Sequence, residues 1–118
     1  MDARGAGNCP AYKSKQDEWP DFLFKYTNWL ASFYDSARPI IDWVQLRTAP
    51  IKEVDCAELD VDGHTDWKEV SNAIYTTFAQ IVEGEALAIL KNTPSHMGLE
   101  MFRRQISRWD PSSRTTYT

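Results

Sequence analysis

Large apolar side chains recur at steps of three and four residues along most of this 118-residue sequence. That spacing places them on one face of an α-helix, whereas a half-buried strand needs alternation at every second residue. In the stretch from 19 to 33, one face would carry Trp19, Phe22, Tyr26, Leu30 and Phe33. No segment alternates convincingly, and no internal repeat is visible. The pattern therefore predicts an all-α fold.

Prolines and glycines divide the pattern into about five helices, which is typical of a compact bundle. The first begins near Asp17, and the second lies between Pro39 and Pro50. The longest apolar stripe follows Thr65, the expected N-cap, and ends at Gly84. We expect the chain to break there before a fourth, short helix.

The ends of the chain lack this periodicity. Residues 1–16 contain Gly, Pro, Ser and Lys without a helical pattern, so we expect a flexible leader. Residues 112–118 form a polar tail, and the helical domain occupies 17–111. Within that domain, five Asp or Glu lie between Glu53 and Asp62 with no regular period. We expect this stretch to be an exposed acidic loop.

The last predicted helix, from about Met97 to Trp109, combines an apolar face with arginines. Gly98 would let the chain turn tightly into it. Glu100 lies in the first turn, where it suits the helix dipole and can pair with Arg103 or Arg104. We expect this helix to be anchored to the third one through Leu99, Phe102, Ile106 and Trp109.

Charge is distributed unevenly along the chain. The net charge of −4 argues against a general nucleic-acid binder. Residues 1–90 nevertheless carry eight Lys or Arg against fifteen Asp or Glu, and residues 91–118 carry five against two. The acidic first part and the basic last part indicate head-to-tail attraction between copies or an anion site near the C-terminus. The alternative is that the two charge blocks have no function, since small blocks of like charge arise on any protein surface. The candidates for contact with RNA phosphates or an acidic partner are Lys91, Arg103, Arg104, Arg108 and Arg114.

Three aromatic residues do not belong to the apolar stripe of the first helix. Phe24 and Trp29 lie between its positions, and Tyr34 follows its last residue. Exposed aromatic side chains mark protein–protein contacts, so these three are candidates for self-association. The alternative is a helix that is buried on two faces.

No catalytic or metal-binding pattern is present. The two histidines are 32 positions apart, and Cys9 and Cys56 are not paired at finger spacing. A calcium loop counted from Asp60 would need Gly and Glu where Thr65 and Ser71 stand. No nucleophile elbow or phosphate-binding glycine loop can be drawn. We therefore expect a protein that is not an enzyme and has no cofactor, metal or small-molecule substrate.

The same sequence has no apolar run after its first Met and no stretch of 18 apolar residues. Two isolated cysteines are more typical of reduced thiols than of a secreted framework. We expect a soluble, cytoplasmic protein with no membrane partner.

A series of residues between 73 and 111 follows a recognisable order: Tyr75; Gly84, Ala86 and Ile89; Gly98, Leu99, Glu100, Phe102 and Arg103; Trp109, Asp110 and Pro111. Trp19 and Phe22 match an opening W-x-x-F. Together they resemble the Gag, capsid-type domain of LTR retrotransposons, in a form close to copia-like Gag polyproteins. The likeness spans roughly residues 17–111 and is patchy from Arg38 to Thr65. Phe102 stands where the family usually has Trp.

The resemblance implies a fold like a capsid N-terminal domain and a structural role, namely self-association into retrotransposon particles around RNA. The family's zinc knuckle is absent from these 118 residues. Its helical domain continues beyond the point where this sequence stops, which implies a fragment of a longer polyprotein or a host-adopted derivative. Two alternatives stay open: an RNA-contacting module that uses the C-terminal arginines, and a helical protein–protein adaptor.

Overall fold

The computed structural model describes residues 9–59 and 67–110, and these residues confirm the all-α prediction. The α-helices are α1 (Trp19–Ala31), α2 (Ala37–Gln45), α3 (Trp67–Ile81), α4 (Glu85–Lys91) and α5 (Gly98–Trp109). Two 3₁₀ helices add to these, at Gln16–Glu18 and Glu53–Leu59, so the described part has more helical segments than the five expected.

The core lies where α1, α3 and α5 meet, and aromatic rings fill it. Phe78 of α3 is fully buried and packs edge-on against Tyr26 of α1, with ring centroids 5.0 Å apart. The ring of Phe102 in α5 also packs edge-on against the Phe78 ring, with centroids 5.5 Å apart. Edge-to-face pairs at this distance add to the stabilisation from area burial. The predicted stripe of α1 therefore faces this core from Trp19 to Leu30, whereas Phe33 lies beyond the end of the helix and is only partly buried.

Helix α2 begins earlier than the proline pattern predicted. Pro39 lies inside its first turn, where a backbone N–H would have no intrahelical acceptor, so the ring costs the helix nothing there. Ile40, Ile41 and Val44 are buried on its inner face.

As far as residue 59, the acidic stretch is exposed at Glu53 and Glu58, as expected, but it is not a loop. It folds into the 3₁₀ helix Glu53–Leu59, and Cys56 and Ile51 are each only 2% exposed. Asp55 starts the turn by accepting a hydrogen bond from the Lys52 N–H at 2.9 Å. The segment is therefore packed against the core through Ile51 and Cys56 while its acidic side chains Glu53 and Glu58 face solvent. Thr65, the expected N-cap, lies outside the described residues, as does Asp62.

The packed part of the chain begins before residue 17, where we expected the helical domain to start. Tyr12 is 1% exposed, and its ring meets those of Trp19 at 5.2 Å and Trp109 at 5.3 Å. Its N–H donates to the Ile81 carbonyl at 2.9 Å. Residues 9–15 thus form a strap across the ends of α1, α3 and α5.

Gly84 breaks the chain between α3 and α4, as predicted. Its φ of +68° is easily adopted only by glycine. Ser14 of the strap supports the break, because its hydroxyl donates to the Glu83 carbonyl at 2.6 Å and accepts from the Ala86 N–H at 2.9 Å.

Gly98 has a different role from the tight turn that we expected. It is the first residue of α5, and a Cβ there would lie 1.9 Å from the carbonyl oxygen of Ser71 in α3. The Leu99 N–H donates to the Ser71 hydroxyl at 3.3 Å. Gly98 therefore allows the backbones of α3 and α5 to approach closely.

Replacing Gly98 with Ala should lower the free energy of unfolding by about 3 kcal/mol, because backbone, not a flexible side chain, blocks the added methyl group. Urea denaturation followed by circular dichroism measures this. Ser107→Ala, at an exposed position of the same helix, should change stability by less than about 0.5 kcal/mol. Equal effects of the two substitutions would contradict the close approach.

Candidate functional site

Glu100 is the centre of a charged network on α5. It is 4% exposed and accepts four hydrogen bonds. Arg103 approaches as a fork, with Nε at 2.8 Å from Oε1 and Nη2 at 2.9 Å from Oε2. Arg104 Nε donates to Oε2 at 2.8 Å, and the Ile51 N–H donates to Oε1 at 2.7 Å. The predicted pairing of Glu100 with Arg103 or Arg104 is confirmed, with both arginines taking part.

Arg104 and Arg108 link α5 to the two ends of α4. Arg104 Nη1 also donates to the Asn92 carbonyl at 3.1 Å and to the Thr93 hydroxyl at 3.0 Å, just after α4. At the other end, Arg108 forms an ion pair with Glu85, the first residue of α4. Its guanidinium carbon lies 4.2 Å from the centroid of the Trp109 ring. Both ends of α4 are therefore held by α5.

Three of the five predicted phosphate ligands thus form ion pairs inside the chain. The Arg103 side chain is only 14% exposed, and those of Arg104 and Arg108 are 38% and 36% exposed. Lys91 lies exposed in the last turn of α4, and Arg114 lies outside the described residues. The sequence correctly placed the arginines beside the apolar face of α5 and predicted the pairing of Arg103 or Arg104 with Glu100, but it did not show that Glu100 would be buried or that Arg108 would pair with Glu85.

The environment of Glu100 sets its ionisation. Burial alone would raise the pKa of this carboxyl, but hydrogen bonds from Arg103, the Ile51 N–H and Arg104 together outweigh that effect. The net result is a pKa below the ordinary value of 4.5. Glu100 therefore stays ionised in the folded protein at neutral pH.

The anchor residues of α5 are placed as predicted. Gly98, Leu99, Phe102, Ile106 and Trp109 are all buried. Gln105 was missed, although it is fully buried too. Its side chain donates to the Ala86 carbonyl at 2.8 Å and accepts from Trp109 Nε1 at 2.9 Å. The position of Gln105 four residues before Trp109, on the apolar face, is the feature that indicates its burial.

The three aromatic residues proposed for self-association do not form one surface. Phe24 is 70% exposed, whereas Trp29 and Tyr34 pack partly against the core. Phe24 and Trp29 are five residues apart, which places them about 140° apart around α1. They therefore line two separate grooves.

The Trp29 groove runs between α1 and α3 and has a volume of about 600 Å³. The aromatic rings that line it already pack on one another or on the core. The Trp29 ring centroid lies 5.0 Å from that of Phe33 and 5.9 Å from that of Tyr26. The lining residues are Trp29, Leu30, Phe33, Tyr34, Glu69, Asn72, Ala73, Thr76 and Thr77.

The Phe24 groove lies on the opposite side of α1, toward α2, and has a volume of about 350 Å³. Its lining residues are Trp19, Pro20, Leu23, Phe24, Thr27, Arg38, Gln45 and Asp110. Leu46, which is 81% exposed, follows Gln45 at the end of α2.

Residues 9–59 and 67–110 contain no group of three or more His, Cys, Asp or Glu side chains that could hold a metal ion. None of their helices has both the length and the apolar character that crossing a bilayer requires. Comparisons with protein-family models, curated proteins and solved structures find no match to this chain.

Replacing Glu100 with Gln should lower the free energy of unfolding by about 1.5–3 kcal/mol at pH 7, because charged hydrogen bonds from two arginines are lost. Chemical denaturation measures the change. Glu58→Gln is the matched control: its 3.2 Å pair with Arg47 is exposed and should contribute less than about 1 kcal/mol. A similar loss in both variants would show that Glu100 has no special structural role.

The effect of Glu100→Gln should also depend on pH. Since the folded pKa of Glu100 is lowered, its ionised form stabilises the protein fully above the ordinary value of 4.5. That contribution is lost as the pH falls through the folded pKa. The difference in unfolding free energy between wild type and variant should therefore be constant near neutral pH and shrink in acid. A difference that stays constant or grows in acid would contradict this assignment.

Proposed function

We propose that this chain is a Gag-type, capsid-like structural domain of a cytoplasmic particle, and that its work is self-association rather than catalysis. The observation that carries the proposal is the division of its surface. The arginines of α5 are engaged inside the chain, whereas large apolar side chains elsewhere face solvent. Such a surface suits contact with protein better than contact with a phosphate backbone.

The residues that resemble the Gag family support the proposal through their structural roles. Gly84 adopts a positive φ, Gly98 permits close approach, and Trp109 is buried. Tyr75 donates to the Leu90 and Thr93 carbonyls at 3.1 Å and 3.0 Å. Each of these requirements restricts the residue type, so their joint presence favours a shared fold over coincidence.

RNA binding is the weaker alternative for the α5 arginines. If Arg103 or Arg104 turned to a phosphate, the Glu100 carboxylate would lose its partner. Because Glu100 is buried, water could not replace the lost hydrogen bonds, and the unpaired charge would destabilise the fold. Of the candidate residues that the structure describes, Arg103, Arg104 and Arg108 form ion pairs with carboxylates. Lys91 is the remaining one, and it lies exposed at the end of α4. A single lysine gives little affinity.

Apolar area gives self-association a physical source. Phe24, Leu46 and Val54 are exposed by 70%, 81% and 75%, and covering their apolar area in a contact with another copy would stabilise association. Contacts between such patches are individually weak, but repeated symmetry multiplies them in an assembly.

Light scattering coupled to size exclusion tests the proposal. The mass of the protein alone should rise with its concentration above that of the 13.6 kDa chain. Between about 50 and about 500 mM salt the association should hold or strengthen, because apolar contacts are not screened. Added single-stranded RNA should not change the mass.

Two results would contradict the proposal. Protein that stays monomeric until RNA is added, with an affinity that falls at a log–log slope of about −0.7 per phosphate contact, would make it an RNA-contacting module. Protein that stays monomeric at every concentration, with and without RNA, would favour the adaptor function.

A further inference from the structure

The strap formed by residues 9–15 carries a further inference, which rests on the proposed self-association. We infer that two copies of the chain associate by exchanging this segment, so that the strap of each copy covers the ends of α3 and α5 in the other. The inference specifies the surface that associates and the part of a second copy that occupies it.

The surface under the strap is seen with its occupant in place. Tyr12 is 1% exposed, its N–H donates to the Ile81 carbonyl at 2.9 Å, and it forms a single parallel β-bridge with Val82. Its ring centroid lies 5.3 Å from that of Trp109. An extended segment that combines a backbone hydrogen bond with one inserted side chain is a recurring form of peptide recognition. The chain itself therefore shows what this surface binds.

The strap binds residues that lie far along the chain. Ile81 at the end of α3 and Trp109 at the end of α5 meet Tyr12 through tertiary contacts, and only a short link to α1 makes these contacts intramolecular. Tyr12 of a second copy would make the same backbone and ring contacts with α3 and α5. Exchange of an identical element is a low-cost route to dimers because it needs no new complementary surface.

The link between the strap and α1 is short and strained. Ser14 has a φ of +61°, in the left-handed region that is unfavourable for a residue with a Cβ. Only Lys15 separates Ser14 from the 3₁₀ helix Gln16–Glu18. Short hinges under strain favour exchange between copies, because an opened hinge no longer has to turn back on its own chain. Each exchanged pair releases this strain twice.

Two effects oppose the exchange. The link holds each strap at a high effective concentration near its own site. The Tyr12 hydroxyl also donates to the Lys15 carbonyl at 2.7 Å, and this hydrogen bond across the turn is lost when the hinge opens. Relief of strain at two Ser14 residues offsets part of this. We therefore expect a weak dimer that forms at high protein concentration in equilibrium with the closed monomer.

Isotope-filtered NMR detects the exchange in the full, unmodified chain. Isotope-labelled and unlabelled copies are mixed in urea and refolded together at about 1 mM, which is of the order of the effective concentration of a short link. We expect NOEs between the Tyr12 ring of one copy and the Trp109 ring of the other. Closed copies would give these NOEs only within one chain.

Ser14→Gly tests the strained hinge. Because glycine adopts a positive φ without strain, the closed monomer should be favoured, and the dimer dissociation constant should exceed that of Ser14→Ala about tenfold or more. Ser14→Ala is the matched control, since it removes the same hydroxyl but keeps the Cβ. Sedimentation equilibrium measures both constants, and circular dichroism checks that both variants stay helical.

Lys15→Pro should act in the opposite direction. A proline holds the residue before it in extended geometry, which is incompatible with the turn at Ser14. The dissociation constant should therefore fall about tenfold relative to Lys15→Ala, which imposes no such restriction. An unchanged or raised constant would contradict the hinge.

The outcomes separate this inference from the proposed function. Association of the wild type with Tyr12–Trp109 NOEs between copies, and a weaker dimer for Ser14→Gly than for Ser14→Ala, would support the exchange. If the wild type associates but every Tyr12–Trp109 NOE stays within one chain, the exchange fails while self-association stands. Equal dissociation constants for the two Ser14 variants would overturn the role of the strained hinge. A wild type that is monomeric at every concentration overturns both the exchange and the proposed function.

Discussion

The buried carboxylate of Glu100 is the interaction on which the arrangement of α5 depends. An ionised group that is 4% exposed would be strongly destabilising without partners. Its four donors come from Arg103, Arg104 and the Ile51 N–H, so one residue links α5 to the chain that precedes the 3₁₀ helix Glu53–Leu59. Arg104 extends the link to the end of α4. The network orients the helix, and the apolar face beneath it supplies most of the stabilisation.

Backbone approach is the second constraint. The contact at Gly98 places the start of α5 directly against α3, and this lets Phe102 reach Phe78 in the core. At the other end Tyr12 covers Trp109, so the strap and the helix bury each other. Close contacts at both ends explain why α5 has a wholly buried apolar face although arginines flank it.

Helical periodicity was sufficient to predict the all-α class, the buried stripes and the anchor residues of α5, because burial follows spacing when the helices are long. It was not sufficient for Tyr12 or Cys56, each of which is a single buried side chain in a segment too short to show a period. Nor does spacing alone show whether an arginine faces solvent or a buried carboxylate; Glu100 at i−3 and i−4 indicated only that pairing was possible. The separation of Phe24 from Trp29 follows from their spacing, since five residues turn a helix by about 140°, but the grooves beside them depend on where α2 and α3 pack, which lies beyond local pattern.

The central claim is that the arginines of α5 hold the fold together and are not ligands for RNA. It is tested most directly by the NMR resonances of the arginine Nε–H groups, since Arg103, Arg104 and Arg108 each donate through Nε to a carboxylate. We expect three resonances that persist at neutral pH and do not shift when single-stranded RNA is added. Resonances that are lost to rapid exchange with water, or that move with RNA, would show that these side chains are available to phosphates and would contradict the account.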